Sequence, residues 1–521
     1  MEEAVEICKL RLFLKLAAQL EPGQAVEPLP DIDFNVRSGN TLVGYASREE
    51  IRRAFSETGG SGQMALQGIE NSLDDFRHIM EDAEDADRMF QQFQKQQDLG
   101  TEGAAEQRAV KQKLERKLDS FRLQLDRFLA AQYDLRNIKT ETAFKKWKAS
   151  HEPFHWFVEF YGIMNSGGFD VIVGNPPYIV YPAKVPYLLL ESCYSTLQCK
   201  NLYGIVFERS SKLVTPKSWY GLIVQMTLLS AGKMGVLQDY LSNAGSLVVA
   251  PFPRRPESMF DGVEMPVAIA ISIPKSAQKN FNYATSRVGR IFGVERPHVL
   301  AATNYLSHDN RIHDCRVAKF GTVLEIDIFQ KLIKHKEVLD AHITGKGKHR
   351  VYYQEACRYW LKATHKPPFF RRNGEKILPP HGRVIGFDQK TFSSFAMCLL
   401  NSSLFYWFYT CFSDCEHVND ELVRTWRCSS SIEKSDWESI ANRLFDDMEA
   451  QGCKKTIRTK QGHTIEYHEI RASGSKLIID EIDTILATHY GFTPEELDFI
   501  INYDIKYRMG LGGGSAEEDD E

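Results

Sequence analysis

The sequence predicts an α/β protein built on a doubly wound sheet, and three stretches carry that expectation. GGFDVIVGNPPYIVY (167–181) sets a short apolar run between glycines and a double proline. Phe169 to Val173 reads as a buried, parallel-type strand, because apolar residues run on with little polar alternation. NLYGIVFERSSKLV then WYGLIVQM reads as helix then strand. KMGVLQDYLSNAG followed by SLVVAPF and PVAIAISIP repeats the alternation, with an end that could be an antiparallel pair. Each proline lacks an N–H and has a fixed φ, so Asn175-Pro176-Pro177-Tyr178 cannot continue the ladder. It is expected as a stiff loop at the carboxyl end of the strand, where open α/β sheets place their ligands.

The remaining elements follow in chain order. Ile7, Leu10, Leu14 and Ala17 recur at helical spacing, which predicts a helix over 1–20. PDIDFNVRSGNTLVG predicts a short strand, Phe34 to Arg37, ending in Ser38-Gly39-Asn40. Between 71 and 150, Leu73, Phe76, Met80, Ala83, Phe90 and Phe93 form one helical stripe. Leu114, Leu118, Phe121, Leu125 and Phe128 form a second, and LGTEG separates the two. A charged helical hairpin inserted in the α/β pattern is expected, with packing as its plain role. From about residue 285 the chain turns irregular, aromatic and locally basic (RVGRIFGVERPH, GKGKHR, KPPFFRR), which suggests a further domain. Thr493-Pro494-Glu495-Glu496 reads as an N-cap, a first-turn proline and a capping-box glutamate. GLGGGSAEEDDE reads as a flexible acidic tail.

Composition narrows the class. The 521 residues are 43% hydrophobic and 26% charged, ordinary for a folded, soluble chain of several domains. No apolar run approaches the roughly 18 residues that a membrane span needs. The acidic N-terminus lacks a signal-peptide pattern, and the ten cysteines contain no CxxC pair, so reduced thiols and a cytoplasmic location are expected. A net charge of −5 confines any nucleic-acid surface to a local basic patch. GKGKHR and KPPFFRR, with Tyr352, Tyr353, Tyr359 and Trp360 nearby, are candidates for phosphate contact or ordinary solvated loops. Cys411, Cys415, His417 and Cys428 have a loose metal-ligand look but no second tight pair, and buried or surface cysteines are the favoured reading. No metal site and no magnesium-nuclease set is expected.

The Asn-Pro-Pro-Tyr loop has a chemistry of its own. An amine conjugated to a ring is a poor nucleophile because its lone pair is delocalised. Two hydrogen-bond acceptors aimed at its N–H groups draw the nitrogen toward a tetrahedral form. The Asn175 side-chain oxygen and the Pro176 carbonyl can be those acceptors, pre-aimed by the rigid turn. Tyr178 can lie flat on an aromatic base and hold it. The plain alternative for Asn175 is a turn-forming residue.

The loop resembles the catalytic motif of amino-group methyltransferases, and its neighbours narrow the likeness. VEICKLRLFLKL, LPDIDFNVRSGNTLVG, FHWFVEF, FDGVEMPVAIAI, LLNSSLFYWF and EELDFIINYDIKYRMG each resemble segments of the large γ-type adenine-specific DNA methylases. These occur in type IIG-like restriction-modification and phage-defence systems. The likeness runs from residue 4 to about 510 and is least specific in the helical arm. It implies a Rossmann-like, S-adenosylmethionine-dependent core, double-stranded DNA as partner, and methyl transfer to the exocyclic amine of a flipped adenine. Asn175, Pro176, Pro177 and Tyr178 become the catalytic set. Tyr178 and Phe260 become the two faces that stack on the target base, with a core aromatic the alternative for Phe260. Asn40 falls where the family contacts the cofactor's adenine, with a strand-ending turn the alternative. The implied domains are a partial core (1–59), the helical hairpin (60–150), the core with the catalytic loop (151–285), a target-recognition domain (286–430), a helical region (431–510) and the tail (511–521).

Two features depart from the family pattern. The glycine-rich cofactor turn and the ribose-binding acid that should precede the first helix are absent. The core is therefore expected to be N-terminally incomplete, with a protein partner or upstream segment supplying the first strands. Gln225 stands where relatives commonly carry a proline, which bears on the pocket wall. A catalytically inactive DNA-recognition or assembly subunit is the alternative function. A protein or RNA methylase is disfavoured by the long carboxyl-terminal region.

Overall fold

The computed structural model describes residues 2–19, 35–58, 104–133, 140–277, 281–313, 315–429 and 431–510, with isolated helical positions between 77 and 92. It resolves into two compact units, residues 1–222 with 273–277, and residues 223–272 with 278–521.

In the first unit, α1 (Glu2–Ala17) and α2 (Arg48–Thr58) flank a run of turns and bends at 35–40. The strand expected at Phe34 to Arg37 is not formed over its described part, residues 35–37. Gly39 and Asn40 instead dock on the segment after a later helix, with the Asn40 N–H donating to the Glu152 carbonyl at 2.7 Å. That helix is α4 (Glu141–His151), which follows α3 (Ala104–Tyr133). Leu114, Leu118, Phe121 and Leu125 of α3 are buried, as a single stripe at helical spacing requires, and join Phe144 and Trp147 of α4 in one core. The stripe from Leu73 to Phe93 lies outside the described residues.

Strand β1 (Phe169–Gly174) follows, then α5 (Leu202–Leu213) and β2 (Val214–Gln225). β1 and β2 are parallel, with Val173 opposite Gly221. Parallel strands need a crossover, and α5 provides it. β1 differs from expectation in its burial: Val171 is 62% and Val173 81% exposed. The run is apolar enough for a two-sided environment, yet in this chain those side chains remain uncovered.

The second unit opens with α6 (Gly235–Ala244), β3 (Gly245–Phe252), β4 (Val267–Pro274), β5 (Tyr283–Thr285) and β6 (Leu306–His308). Their order is β4-β3-β5-β6, with β3 parallel to β5 and β5 antiparallel to β6, so the sheet is mixed. α7 (Val323–Ile333) leads to a small antiparallel sheet in which β7 (His349–Gln354) pairs with β9 (Gly382–Phe387). A second small sheet holds β8 (Phe370–Arg372), β11 (Thr464–Glu469) and β10 (Cys453–Arg458). The core of this unit is built on α8 (Lys390–Asn401) and α9 (Ser403–Phe412), packed by α10 (Trp437–Gln451), α11 (Lys476–Tyr490) and α12 (Pro494–Ile501). The break between α8 and α9 is capped by Ser402, whose hydroxyl accepts the Phe405 N–H, and by Asp483, which accepts from the Ser403 and Leu404 N–H groups. α12 starts as its sequence dictates, with Thr493 and Glu496 in reciprocal capping bonds.

No single helix among the described residues is long and apolar enough to cross a membrane. The apolar pair α8 and α9 is bent by 67° and its side chains lie inside the core. All ten cysteines are free. Cys411, Cys415 and Cys428 are buried, and burial pushes the Cys415 thiol up to about 11 and the Cys428 thiol up to about 12. Among the described residues no His, Cys, Asp or Glu group is placed to hold a metal ion.

Candidate active site

The loop at the carboxyl end of β1 is held from behind. The Leu202 N–H donates to the Ile179 carbonyl at 3.0 Å and the Tyr181 N–H to the Lys200 carbonyl at 3.0 Å, which ties the loop's exit to the start of α5. Asn201 caps that helix, its side chain accepting the Tyr203 N–H. The cap fixes Tyr203, a fully buried residue in the first turn, whose ring meets Tyr178 edge-to-face at 6.2 Å. Such a contact sets the plane of a ring that is otherwise only half covered. Pro176 is buried, whereas Asn175 and Pro177 are exposed. The Tyr178 hydroxyl donates to the Asn175 Oδ1 at 3.2 Å. Burial raises the phenol's pKa, which keeps the hydroxyl protonated and therefore a donor. Asn175, Pro176, Pro177 and Tyr178 thus form one local group: an exposed amide oxygen beside an oriented aromatic face.

Asn40 sits in the same unit but in a different setting. Its Oδ1 accepts the Leu42 N–H at 3.1 Å, which closes an Asx turn. Its side chain also hydrogen-bonds the Tyr187 phenol. The turn is fastened by Arg209 of α5, a buried guanidinium whose three nitrogens are all used. Nε donates to the Tyr194 hydroxyl at 2.8 Å, Nη1 to Glu50 Oε2 at 3.1 Å, and Nη2 to the Gly44 carbonyl at 3.1 Å. The Tyr194 hydroxyl in turn donates to the Leu42 carbonyl at 2.7 Å. Gly44 has φ +138°, and a Cβ there would lie 2.1 Å from the Phe154 carbonyl oxygen, so only glycine fits. The turn is therefore rigid, and the oxygen of Asn40 is already engaged.

Phe260 belongs to the second unit, half-buried in a bend, its carbonyl accepting the Val263 N–H at 3.3 Å. Gln225, at the end of β2, donates through Nε2 to the Met265 sulfur at 3.6 Å. Sequence reasoning did not single out Tyr203, Tyr187 or Arg209. Tyr203 could have been found only through the N-cap Asn201, and Arg209 reads as one more charge on an amphipathic helix.

Comparison with known proteins adds to this geometry. A curated protein of Methanocaldococcus jannaschii, provisionally described as a type II restriction enzyme and methyltransferase, is 28% identical over 252 residues, 42% of this chain. The match spans 21% of that relative's length. A nuclease-deletion mutant of the Type ISP restriction-modification enzyme LlaGI, solved with a DNA substrate mimic, aligns over 68% of this chain and 50% of its own at 10% identity, with a TM-score of 0.32. A Listeria monocytogenes protein provisionally assigned as a class I S-adenosylmethionine-dependent methyltransferase aligns over 49% of this chain and 96% of its own, at 10% identity and a TM-score of 0.20. Residues 1–248, which include the whole Asn175–Tyr178 loop, match the sequence profile of the Eco57I restriction-modification methylases.

Proposed function

We propose that this chain supplies the target-base side of a site-specific DNA adenine methyltransferase in a restriction-modification or phage-defence system. The observation that carries the reading is the exposed Asn175 amide oxygen at the carboxyl end of β1, beside a Tyr178 ring oriented by Tyr203. A flipped adenine stacks on Tyr178, and its exocyclic amine donates to the Asn175 Oδ1 and the Pro176 carbonyl. These acceptors raise the nitrogen's nucleophilicity before any bond forms. No general base is needed for the attack, because the amine sheds its proton afterwards. The region after residue 285 contacts double-stranded DNA.

The methyl donor in this reading is S-adenosylmethionine. The Asn40 oxygen already accepts one bond within its own turn, so Asn40 alone offers the donor only its remaining amide capacity. We assign the missing donor contacts to a partner protein or an added segment that pairs with β1. β1 closes one end of the strand order, and its Val171 and Val173 side chains are uncovered. α1 in the same unit exposes Ile7, Leu10, Phe13 and Leu14. An apolar strand at the end of a sheet is the kind of surface that a docking strand buries, and an uncovered apolar helix face is one that a partner can cover. The engaged Asn40 also favours a second reading, a catalytically inactive DNA-recognition or assembly subunit.

Methylated adenine in substrate DNA, measured by mass spectrometry with and without a candidate completing segment, separates the two readings. In an active assembly Asn175→Ala lowers transfer by roughly 10²–10³-fold while DNA affinity stays within about twofold, a change of less than about 0.5 kcal/mol. Equal loss of both makes the loop a folding turn. Absence of transfer with every completing segment leaves the recognition-subunit reading standing.

A further inference from the structure

The second unit contains a cavity of about 420 Å³ that lies outside the Asn175–Tyr178 loop. Chain segments far apart in sequence converge on it: the Arg254-Arg255 turn after β3, the 352–362 stretch, KPPFFRR, and strand β11. Arg254, Arg255, Arg358 and Lys362 line it against two carboxylates, Glu416 and Glu469. Both carboxylates are already neutralised. Arg254 grips Glu416 through two bonds of 2.8 Å, and Glu469 is paired with Lys455 at 2.7 Å and Arg471 at 3.3 Å. Arg255 is half-buried, and among the described residues its side chain makes no hydrogen bond or ion pair with a carboxylate. The charges of Arg358 and Arg254 lie close enough to depress its pKa, after burial itself. Glu416 also acts on Arg255 through its charge, but that carboxylate is held by Arg254, so the cluster carries more cations than carboxylates and suits an anion. Pro368, Phe369, Phe370, Pro380 and Tyr467 give part of the wall an apolar, aromatic face, and Gln354, His381, His417 and His468 add polar groups. Arg371 and Lys454 lie over the Phe369 ring at 5.2 and 5.7 Å.

We propose that this cavity binds a single nucleotide, with its phosphate on Arg255, Arg358 and Lys362 and its base against Phe369 and Tyr467. The volume suits one nucleoside phosphate and is too small for a stretch of duplex. The guanidinium fork matches phosphate geometry, and aromatic faces accept any base, so recognition is tolerant of sequence. The nucleotide comes either from the solvent or from a DNA strand that projects one unit into the cavity. The second source rests on the DNA-binding reading above; the first does not.

Calorimetric titration with deoxyadenosine 5′-monophosphate is the test, with deoxyadenosine and inorganic phosphate as partial probes and a short duplex as competitor. The nucleotide is expected to bind more tightly than either fragment. Arg255→Gln together with Arg358→Gln weakens it about tenfold or more. Phe369→Ala weakens it about fivefold with an unchanged thermal unfolding curve. Competition by duplex assigns the site to a DNA strand; undiminished nucleotide binding in its presence assigns it to the free nucleotide. Equal affinity of the wild-type and double-variant proteins, or no nucleotide binding at all, overturns the proposal. In either of those cases retained duplex binding leaves the DNA-binding reading intact. Nucleotide binding without any duplex binding does the reverse.

Discussion

Trp407 and Leu10 are both large apolar residues on helices, yet Trp407 is 0% and Leu10 56% exposed. The contrast extends to the units that hold them. The second unit gathers α7 to α12 around one aromatic core, in which Trp407 stacks on Phe320 with rings 6.1 Å apart and donates its indole N–H to Glu325. The first unit has a core of its own around α3 and α4, but leaves α1 and the outward side chains of β1 bare. Within it, the candidate site is held by hydrogen bonds and a buried guanidinium more than by packing. One unit is stabilised chiefly by burial, whereas the other combines a smaller core with an uncovered surface.

The largest effect that can break this comparison is expected in the second unit. Trp407→Ala should destabilise it by about 3–5 kcal/mol, read from denaturant unfolding. A loss under about 1 kcal/mol would mean that the aromatic core is far less close-packed than its burial indicates. Next comes Arg209→Ala in the first unit, expected to cost about 3 kcal/mol because Glu50 and the Gly44 carbonyl lose their partner. Limited proteolysis should then cut at residues 40–46 while leaving the second unit resistant.

A pH effect sharpens the same contrast. His308 is buried, its Nδ1 accepts the Asn310 N–H, and its Nε2 meets the Thr285 hydroxyl at 2.8 Å. Burial holds its pKa down to about 4, against an ordinary value of 6.5. The unfolded chain therefore binds the proton first, so this contribution is present above about pH 6.5 and is lost as pH falls toward 4. The loss should reach at most about 3 kcal/mol. His308→Gln should flatten the unfolding profile of the second unit across that window. A wild-type profile already flat there would remove the depressed pKa from the account.

The smallest effect separates exposed from hidden apolar surface. Val173→Thr should change the stability of the isolated chain by less than about 0.5 kcal/mol. If a partner strand covers β1, the same substitution should lower the affinity of that partner severalfold in pull-down or calorimetry. An equal outcome with and without the partner would assign its contact elsewhere.

How far the sequence foretold this follows from what each signal depends on. Strand β1, helix α5, strand β2 and the capping box at Thr493 rest on local periodicity and local hydrogen bonds, which a single sequence displays. The exposure of Val173 does not, because an apolar strand looks the same whether or not anything covers it. Phe34 to Arg37 has strand-like composition, but the chain just after it is fastened at Asn40 by Glu152 and at Gly44 by Arg209. Both contacts come from more than a hundred residues away. The Asn-Pro-Pro-Tyr loop was legible because two prolines announce their own rigidity. The cavity around Arg255 was only half visible: KPPFFRR stood out, whereas Arg254, Arg255 and Tyr467 reach it from segments with no shared pattern.

The bond from the Tyr178 hydroxyl to the Asn175 oxygen has a consequence for the resting protein. At 3.2 Å it is longer than the usual range for two oxygens, and so is weak. It nevertheless takes up one of the two lone pairs that the proposed function offers to an arriving amine. Water and stray amines meet an acceptor that already has a donor. In the proposed function, a base that stacks on the tyrosine ring shifts the phenol as it enters, and so opens the acceptor by the act of arriving. On that reading the bond is a latch that the incoming base lifts.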